Sequence, residues 1–256
     1  MSSTDLTLDQ RDISFAISEW LQLGKLSNSE KYAEFDQDTL EMMVKEGIRF
    51  AIEVVFPTRA ESDRKGCRME EGRVKVSECL HKPFQKAYEL GWASISDSPE
   101  YGGMGAPATI GLIVSEAING ANLGLGMFFG LTSGAAKLIE TYGSDMLKEK
   151  YIAKMFQGQY TGTMCLSEPH AGSDVGAGIT SAESQGDGVY KVKGTKCWIS
   201  SGDNDLGENV IHAVLARVKG APDGTKGLSL FVVPYFRVND DGSLGDWNDV
   251  TVVSIE

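Results

Sequence analysis

The run Met164-Cys165-Leu166-Ser167-Glu168-Pro169-His170-Ala171-Gly172-Ser173-Asp174 reads as a strand that breaks at proline into a loop of small residues and donors. Such a loop brings backbone N–H groups and hydroxyls close to a flat or anionic ligand, although the same residues also make an ordinary surface turn capped by Ser173 and Asp174. About thirty residues on, Gly194-Thr195-Lys196-Cys197-Trp198-Ile199-Ser200-Ser201-Gly202 sets an aromatic among polar residues on a segment ending in glycine. Taken by itself, Trp198 reads as a core side chain. Other chemistries lack their residues. The histidines His81, His170 and His212 are far apart and none sits in HExxH or beside a CxxC, which argues against a zinc site. Neither GxxxxGK[ST], GxGxxG nor GxSxG occurs.

The elements that must position these residues change character near Gly158. Before it, helical periodicity dominates. Ile13, Ile17, Trp20 and Leu21 fall on one face behind a start signal at Thr7 to Asp9, and from Asp36 the positions Leu40, Met43, Val44, Ile48, Ile52 and Val55 recur at helical steps as far as Phe56-Pro57. The charged stretch Arg59 to Lys75 reads as a solvated loop, followed by a helix at about Lys82 to Leu90 and a glycine and proline loop from Pro99 to Pro107. Helices are expected at about Ala108 to Asn119, Phe128 to Thr141 and Asp145 to Gln157. Beyond Gly158, the runs Tyr160 to Leu166, Gly188 to Val192, Lys196 to Ser201, Val210 to Val218 and Leu228 to Val233 read as short strands. The fold class expected is α+β: a helical region at 1–159, then an incomplete antiparallel barrel-like region at 160–256.

Composition narrows the partners. The chain has 256 residues, 36 acidic against 24 basic and a formal charge of -12, which repels phosphate backbones and argues against nucleic acid. The uncharged stretch Ala117 to Ala136 holds Asn119, Asn122, Thr132 and Ser133 among its glycines, a composition suited to buried helices rather than to a membrane span. Cys67, Cys79, Cys165 and Cys197 form no CxxC pair, and Met1 to Gln10 has neither a basic nor an apolar leader region, so a reduced, cytoplasmic setting is expected.

Leu166-Ser167-Glu168-Pro169 followed by Ala171-Gly172-Ser173-Asp174, with Lys196, Trp198, Ile199 and Ser200 downstream, resembles the acyl-CoA dehydrogenase flavoprotein signature. Gly91-Trp92, Pro99-Glu100-Tyr101-Gly102-Gly103-Met104-Gly105 and Ser115-Glu116 resemble upstream elements of the same family. Arg11-Asp12-Ile13, the run Asn209 to Arg217 and the run Gly227 to Pro234 are similar to the larger-subunit branch that includes 3-methylmercaptopropionyl-CoA dehydrogenase.

The resemblance implies FAD at the β region and α,β-dehydrogenation of an acyl-CoA in fatty-acid metabolism, with electrons passing to an electron-transferring flavoprotein. Met164 and Leu166 would then flank the flavin ring, and Ser167 would bond its polar edge. Trp198, Ile199 and Ser200 would cover the other side and the phosphates, with Gly172 and Ser173 in the donor loop and Ser173 also meeting the CoA moiety. Met164 and Ser167 stand where the family commonly has an aromatic and a threonine. The reaction needs a carboxylate base, which the family carries in a C-terminal helical region expected beyond Glu256. Glu168 reads as part of the flavin loop and Glu116 as an ordinary helix carboxylate. A homodimer or homotetramer is expected. The alternative is a noncatalytic chain, binding flavin or acyl-CoA, that pairs with a base-bearing homologue in a hetero-oligomer.

Overall fold

The computed structural model describes residues 8–255, so Thr7 of the expected helix start and the leader positions Met1 to Thr7 lie outside the described residues, as does Glu256. The described residues divide into two compact units, one built from residues 8–67, 76–130 and 156–158 and the other from 68–75, 131–155 and 159–255.

The first unit is helical. Helix α1 (Gln10–Phe15) is capped by the Asp9 carboxylate, which accepts from the Arg11 N–H. It passes directly into a wide π turn over Ala16–Trp20. The extra residue in that turn rotates the apolar stripe, so Ile17 is buried while Trp20 and Leu21 are exposed, a correction to the single face expected for these residues. Helix α2 (Gln37–Phe50) starts at Asp36, whose side chain accepts from Thr39 N–H at 2.8 Å, and it buries Leu40, Met43, Val44 and Ile48. Its Gly47 lets α5 (Ala108–Ala121) approach closely, since a Cβ there would lie 2.6 Å from a Val114 methyl.

Arg59 to Lys75 is ordered rather than a loop. It forms α3 (Arg59–Lys65) and both strands of a hairpin, described below with its own unit. Helix α4 (His81–Glu89) supplies Phe84 and Tyr88, which pack with Phe129 at ring separations of 5.1 to 5.7 Å. Asn122 separates α5 from α6 (Leu123–Tyr142), being extended itself. Its amide donates to Thr58 Oγ1 and Ser62 Oγ at 3.0 Å, and its Oδ1 accepts from Leu125 N–H. No described helix is long and apolar enough to cross a membrane.

The second unit is a mixed sheet with helical cover. Its first part is the hairpin β1 (Arg68–Glu70) and β2 (Arg73–Lys75). The later part of α6 and helix α7 (Asp145–Phe156) follow. They lie against β3 (Tyr160–Cys165) at Gly162, where a Cβ would stand 2.7 Å from the Met155 methyl and 2.9 Å from Ala135 Cβ. The Gly162 N–H donates to Thr132 Oγ1 at 3.0 Å.

The centre of the sheet is β6 (Asn209–Val218), an almost unbroken buried run, as expected of a strand covered on both faces. Strand β3 pairs with it in parallel from Tyr160↔Asn209 to Cys165↔Val214. Strand β4 (Ser181–Gly186) also pairs with it in parallel, and β5 (Val189–Lys193) pairs with β4 antiparallel. Strand β7 (Leu228–Pro234) pairs with β6 antiparallel, and β8 (Phe236–Val238) with β9 (Leu244–Trp247) forms a second hairpin.

The order of helices then sheet is as expected. The sheet, however, is mixed rather than wholly antiparallel, and among the described residues no pairing closes it into a barrel. The 166–208 connection is long enough for the crossover that parallel pairing demands.

Candidate active site

Strand β3 ends at Cys165 and delivers Leu166, Ser167 and Glu168 to one end of the sheet. Two contacts bring the downstream segment beside them. The Cys197 N–H donates to the Ser167 carbonyl at 3.0 Å, and Lys196 Nζ donates to the Leu166 carbonyl at 2.9 Å. The two segments singled out by residue type are therefore neighbours, although about thirty residues separate them.

Glu168 holds the donor loop in shape. It is 4% exposed and pairs with Ala171 in an isolated antiparallel bridge, which folds Pro169 and His170 back on themselves. Its carboxylate accepts from Lys196 Nζ at 2.9 Å and from the Ile179 and Thr180 N–H groups at 2.9 and 3.0 Å. Burial pushes the carboxyl's pKa up, but Thr180, Lys196 and the Ile179 N–H outweigh it and hold the group down at about 2. A carboxylate so fully engaged is poorly placed to take a proton from a substrate. It organises the loop instead, leaving Gly172, Ser173 and Asp174 exposed. The cap expected from Asp174 is not made, because the 3-10 turn at Val175–Ala177 has no side-chain cap bond.

The tryptophan segment departs most from expectation. Lys196 to Ser201 forms no strand, and both Trp198 (φ 59°) and Ser201 (φ 57°) take left-handed backbone conformations rarely used by residues other than glycine. The Gly202 N–H closes a tight turn on the Ile199 carbonyl at 3.0 Å. Trp198 is 70% exposed, so the core reading of this residue is overturned. A large aromatic residue is thus left in solvent on a disfavoured backbone conformation.

Met164 and Leu166 are half-buried, as are Ser167 and Ile199, while Ser200 is exposed. A Cβ added at Gly172 would meet nothing within 4 Å, so that loop is open. The donor set suits a flat, partly polar group: aliphatic side chains, an exposed indole, serine hydroxyls and a small-residue loop. Glu116 is exposed on α5, as an ordinary helix carboxylate would be.

Sequence reasoning missed a second polar cluster, in the sheet beside β3. His212 on β6 is 5% exposed, with Nδ1 2.9 Å from Thr163 Oγ1 and 3.8 Å from Cys165 Sγ, and its Nε2 finds no hydrogen-bond partner. Burial drives its pKa down to about 4, against a smaller upward pull from Asp203, and so keeps the ring neutral. Burial also pushes the Cys165 thiol up, so it is not a thiolate nucleophile. The only signal for this group in the sequence was a histidine inside an apolar strand.

Comparison with known proteins agrees with this architecture. Residues 37–159 match the family model described as acyl-CoA dehydrogenase, N-terminal domain, and residues 163–251 match that of the middle domain. A 3-methylmercaptopropionyl-CoA dehydrogenase from Ruegeria pomeroyi is 38% identical over 246 residues, covering 96% of this chain and 42% of that protein. A butyryl-CoA dehydrogenase from Syntrophomonas wolfei is 36% identical over 265 residues, covering 100% of this chain and 43% of the relative. Among solved structures, a glutaryl-coenzyme A dehydrogenase in complex with glutaryl-CoA superposes with a TM-score of 0.63 at 29% identity, over 78% of this chain and 47% of that one. A helical unit followed by an open mixed sheet, carrying both signature segments, thus falls on the N-terminal and middle domain models of a single family. The chain belongs to the acyl-CoA dehydrogenase family, and it spans less than half the length of these relatives.

Proposed function

We propose that this chain is the flavin-binding portion of an FAD-dependent acyl-CoA dehydrogenase, with helical and sheet domains at 1–159 and 160–256. The observation that carries the reading is the Cys197 N–H to Ser167 carbonyl bond, which sets the segment bearing the exposed Trp198 beside the end of β3. Met164 and Leu166 flank the flavin ring, Ser167 bonds its polar edge, and Trp198, Ile199 and Ser200 cover the opposite side and the phosphates. Gly172 and Ser173 supply the open donor loop, and Ser173 also meets the CoA moiety.

When bound, flavin supplies an acceptor for the hydride lost from the β-carbon of the acyl thioester. The residues named here orient the ring, shield it from water and donate hydrogen bonds to its edge. The α-proton needs a carboxylate other than Glu168, which is already engaged by Lys196 and two backbone N–H groups.

Butyryl-CoA and 3-methylmercaptopropionyl-CoA are the substrates to try first. An electron-transferring flavoprotein is the proposed acceptor, in a homodimer or homotetramer working in cytoplasmic fatty-acid metabolism. Cys79, Cys165 and Cys197 form no disulfide, in keeping with a reducing compartment.

The test is a visible spectrum of the purified chain before and after either thioester is added. Flavin bands are expected. If they bleach, a base is present that these residues do not show; if they persist unbleached, the flavin reading stands and proton abstraction lies elsewhere. A colourless chain that takes up no added FAD overturns the proposal.

A further inference from the structure

We propose that Arg73 and Asp203 form a positioning clamp that holds Trp198 in its exposed, left-handed conformation. For its functional consequence this inference rests on the flavin reading above.

The Trp198 segment is tied down at both ends. At its start, Lys196 reaches the Leu166 carbonyl and Glu168, and Cys197 bonds Ser167. At its end, Asp203, with its side chain wholly buried, accepts from Arg73 Nε and Nη2 at 2.7 to 3.0 Å and from the Val74 N–H at 2.8 Å. The next residues are fixed as well. Asn204 donates to Thr161 Oγ1 on β3 at 3.0 Å, and Asp205 Oδ2 lies 3.6 Å from Lys75 Nζ.

The Arg73 guanidinium is itself held, stacking 4.0 Å above the centre of the Tyr235 ring and 5.4 Å from that of Phe236. A planar, two-pronged donor sandwiched between a carboxylate and an aromatic face has little freedom to move.

Between these anchors the chain must turn within a few residues, and it does so through Trp198 and Ser201, each at positive φ. A residue with a Cβ stays in that region only when its surroundings over-determine it. Lys196 constrains the segment from one side. Arg73, 130 residues from Asp203 in sequence, constrains it from the other. Releasing either lets Trp198 relax towards ordinary backbone angles and moves its ring from its present position. The clamp therefore makes the β1–β2 hairpin a support for the flavin wall, although no hairpin side chain belongs to the flavin-contact set.

The test is fluorine NMR on the full chain labelled with 5-fluorotryptophan, without flavin. Four tryptophans give four lines, and Trp198→Phe assigns the relevant one. In Arg73→Met and Asp203→Asn the Trp198 line is expected to move and sharpen while those of Trp20 and Trp92 stay. Arg73→Lys, which keeps the charge but not the fork, should restore the line only in part. In the same variants the FAD dissociation constant should rise about tenfold, the scale on which a residue one step removed from a bound group acts.

An unmoved Trp198 line in Arg73→Met overturns the proposal. So does collapse of all lines in both Arg73→Met and Asp203→Asn, which would make the pair a requirement for folding rather than a holder of one segment. Wild-type protein that binds no FAD overturns the flavin reading alone, because the line positions in the flavin-free chain judge the clamp separately.

Discussion

Lys196 Nζ lies 2.9 Å from both Glu168 Oε1 and the Leu166 carbonyl oxygen, so one ammonium ties the tryptophan segment to the end of β3 and neutralises a buried carboxylate. Its side chain is 12% exposed and that of Glu168 2%, and solvent does little to screen the pair. Replacing Lys196 with methionine leaves the carboxylate buried without its counter-charge. The expected cost is about 3–5 kcal/mol of stability. Urea unfolding followed by circular dichroism measures it, and a shift under 1 kcal/mol would show that the two N–H donors suffice on their own.

Acid should weaken the fold in two stages. The folded-state pKa of His212 is depressed to about 4, so its contribution is fully present above the ordinary histidine value near 6.5 and drains away as pH falls to 4. Glu168, depressed to about 2, contributes fully above its unfolded value of 4.5 and loses that contribution as pH falls towards 2. Each amounts to about 3 kcal/mol at most. Denaturant midpoints measured from pH 8 to pH 3 should be flat, then fall from about 6.5. His212→Gln should remove the upper part of the slope and leave the lower part.

Trp198→Ala should separate binding from stability. The ring is 70% exposed, so its loss should change stability by no more than about 0.5 kcal/mol. Flavin affinity should fall about tenfold, as loss of a stacked aromatic contact implies. Titration with FAD, followed by quenching of flavin fluorescence, gives the affinity. Equal affinity in the variant removes Trp198 from the flavin wall.

Gly162→Ala should behave in the opposite way. The new methyl would press on the Met155 methyl, Ala135 Cβ and the Thr132 backbone at 2.7 to 3.1 Å, an overpacking expected to cost about 1–3 kcal/mol. A lower thermal midpoint, with the tryptophan fluorescence of the folded protein unchanged, is the expected result.

The helices were legible because their cues are local: the spacing of Leu40, Met43, Val44 and Ile48 from Asp36 onward, and the break at Phe56-Pro57. Strands β3, β6 and β7 were legible as apolar runs. Of those that were not, three are instructive. Arg68 to Lys75 reads as a charged loop, because its one buried strand residue, Val74, is held by an aspartate far along the chain. Ser181 to Gly186 is almost wholly polar and buries only Ala182, so β4 carries no strand pattern. The tryptophan segment has the composition of a strand, but its two anchors bend it through left-handed angles that no residue-type rule foresees. Of the candidate site, the nearness of its two segments followed from residue type, whereas the environment of Trp198 did not. Trp198 is wet rather than buried, while Glu168 locks its loop, in line with its reading as a loop residue.

The hairpin of residues 68–75 gives the molecule an order of assembly. Its Arg73 is made early in synthesis, whereas Asp203 and Tyr235 leave the ribosome much later, so the hairpin must wait for partners that do not yet exist. The parallel pairing of β3 with β6 imposes a similar delay across residues 166–208. Closure of the sheet unit is therefore a late, long-range step. A shortened chain starting at Gln159 would carry a buried aspartate that nothing neutralises, and dissection of the protein at that point is expected to yield a sheet that aggregates instead of folding.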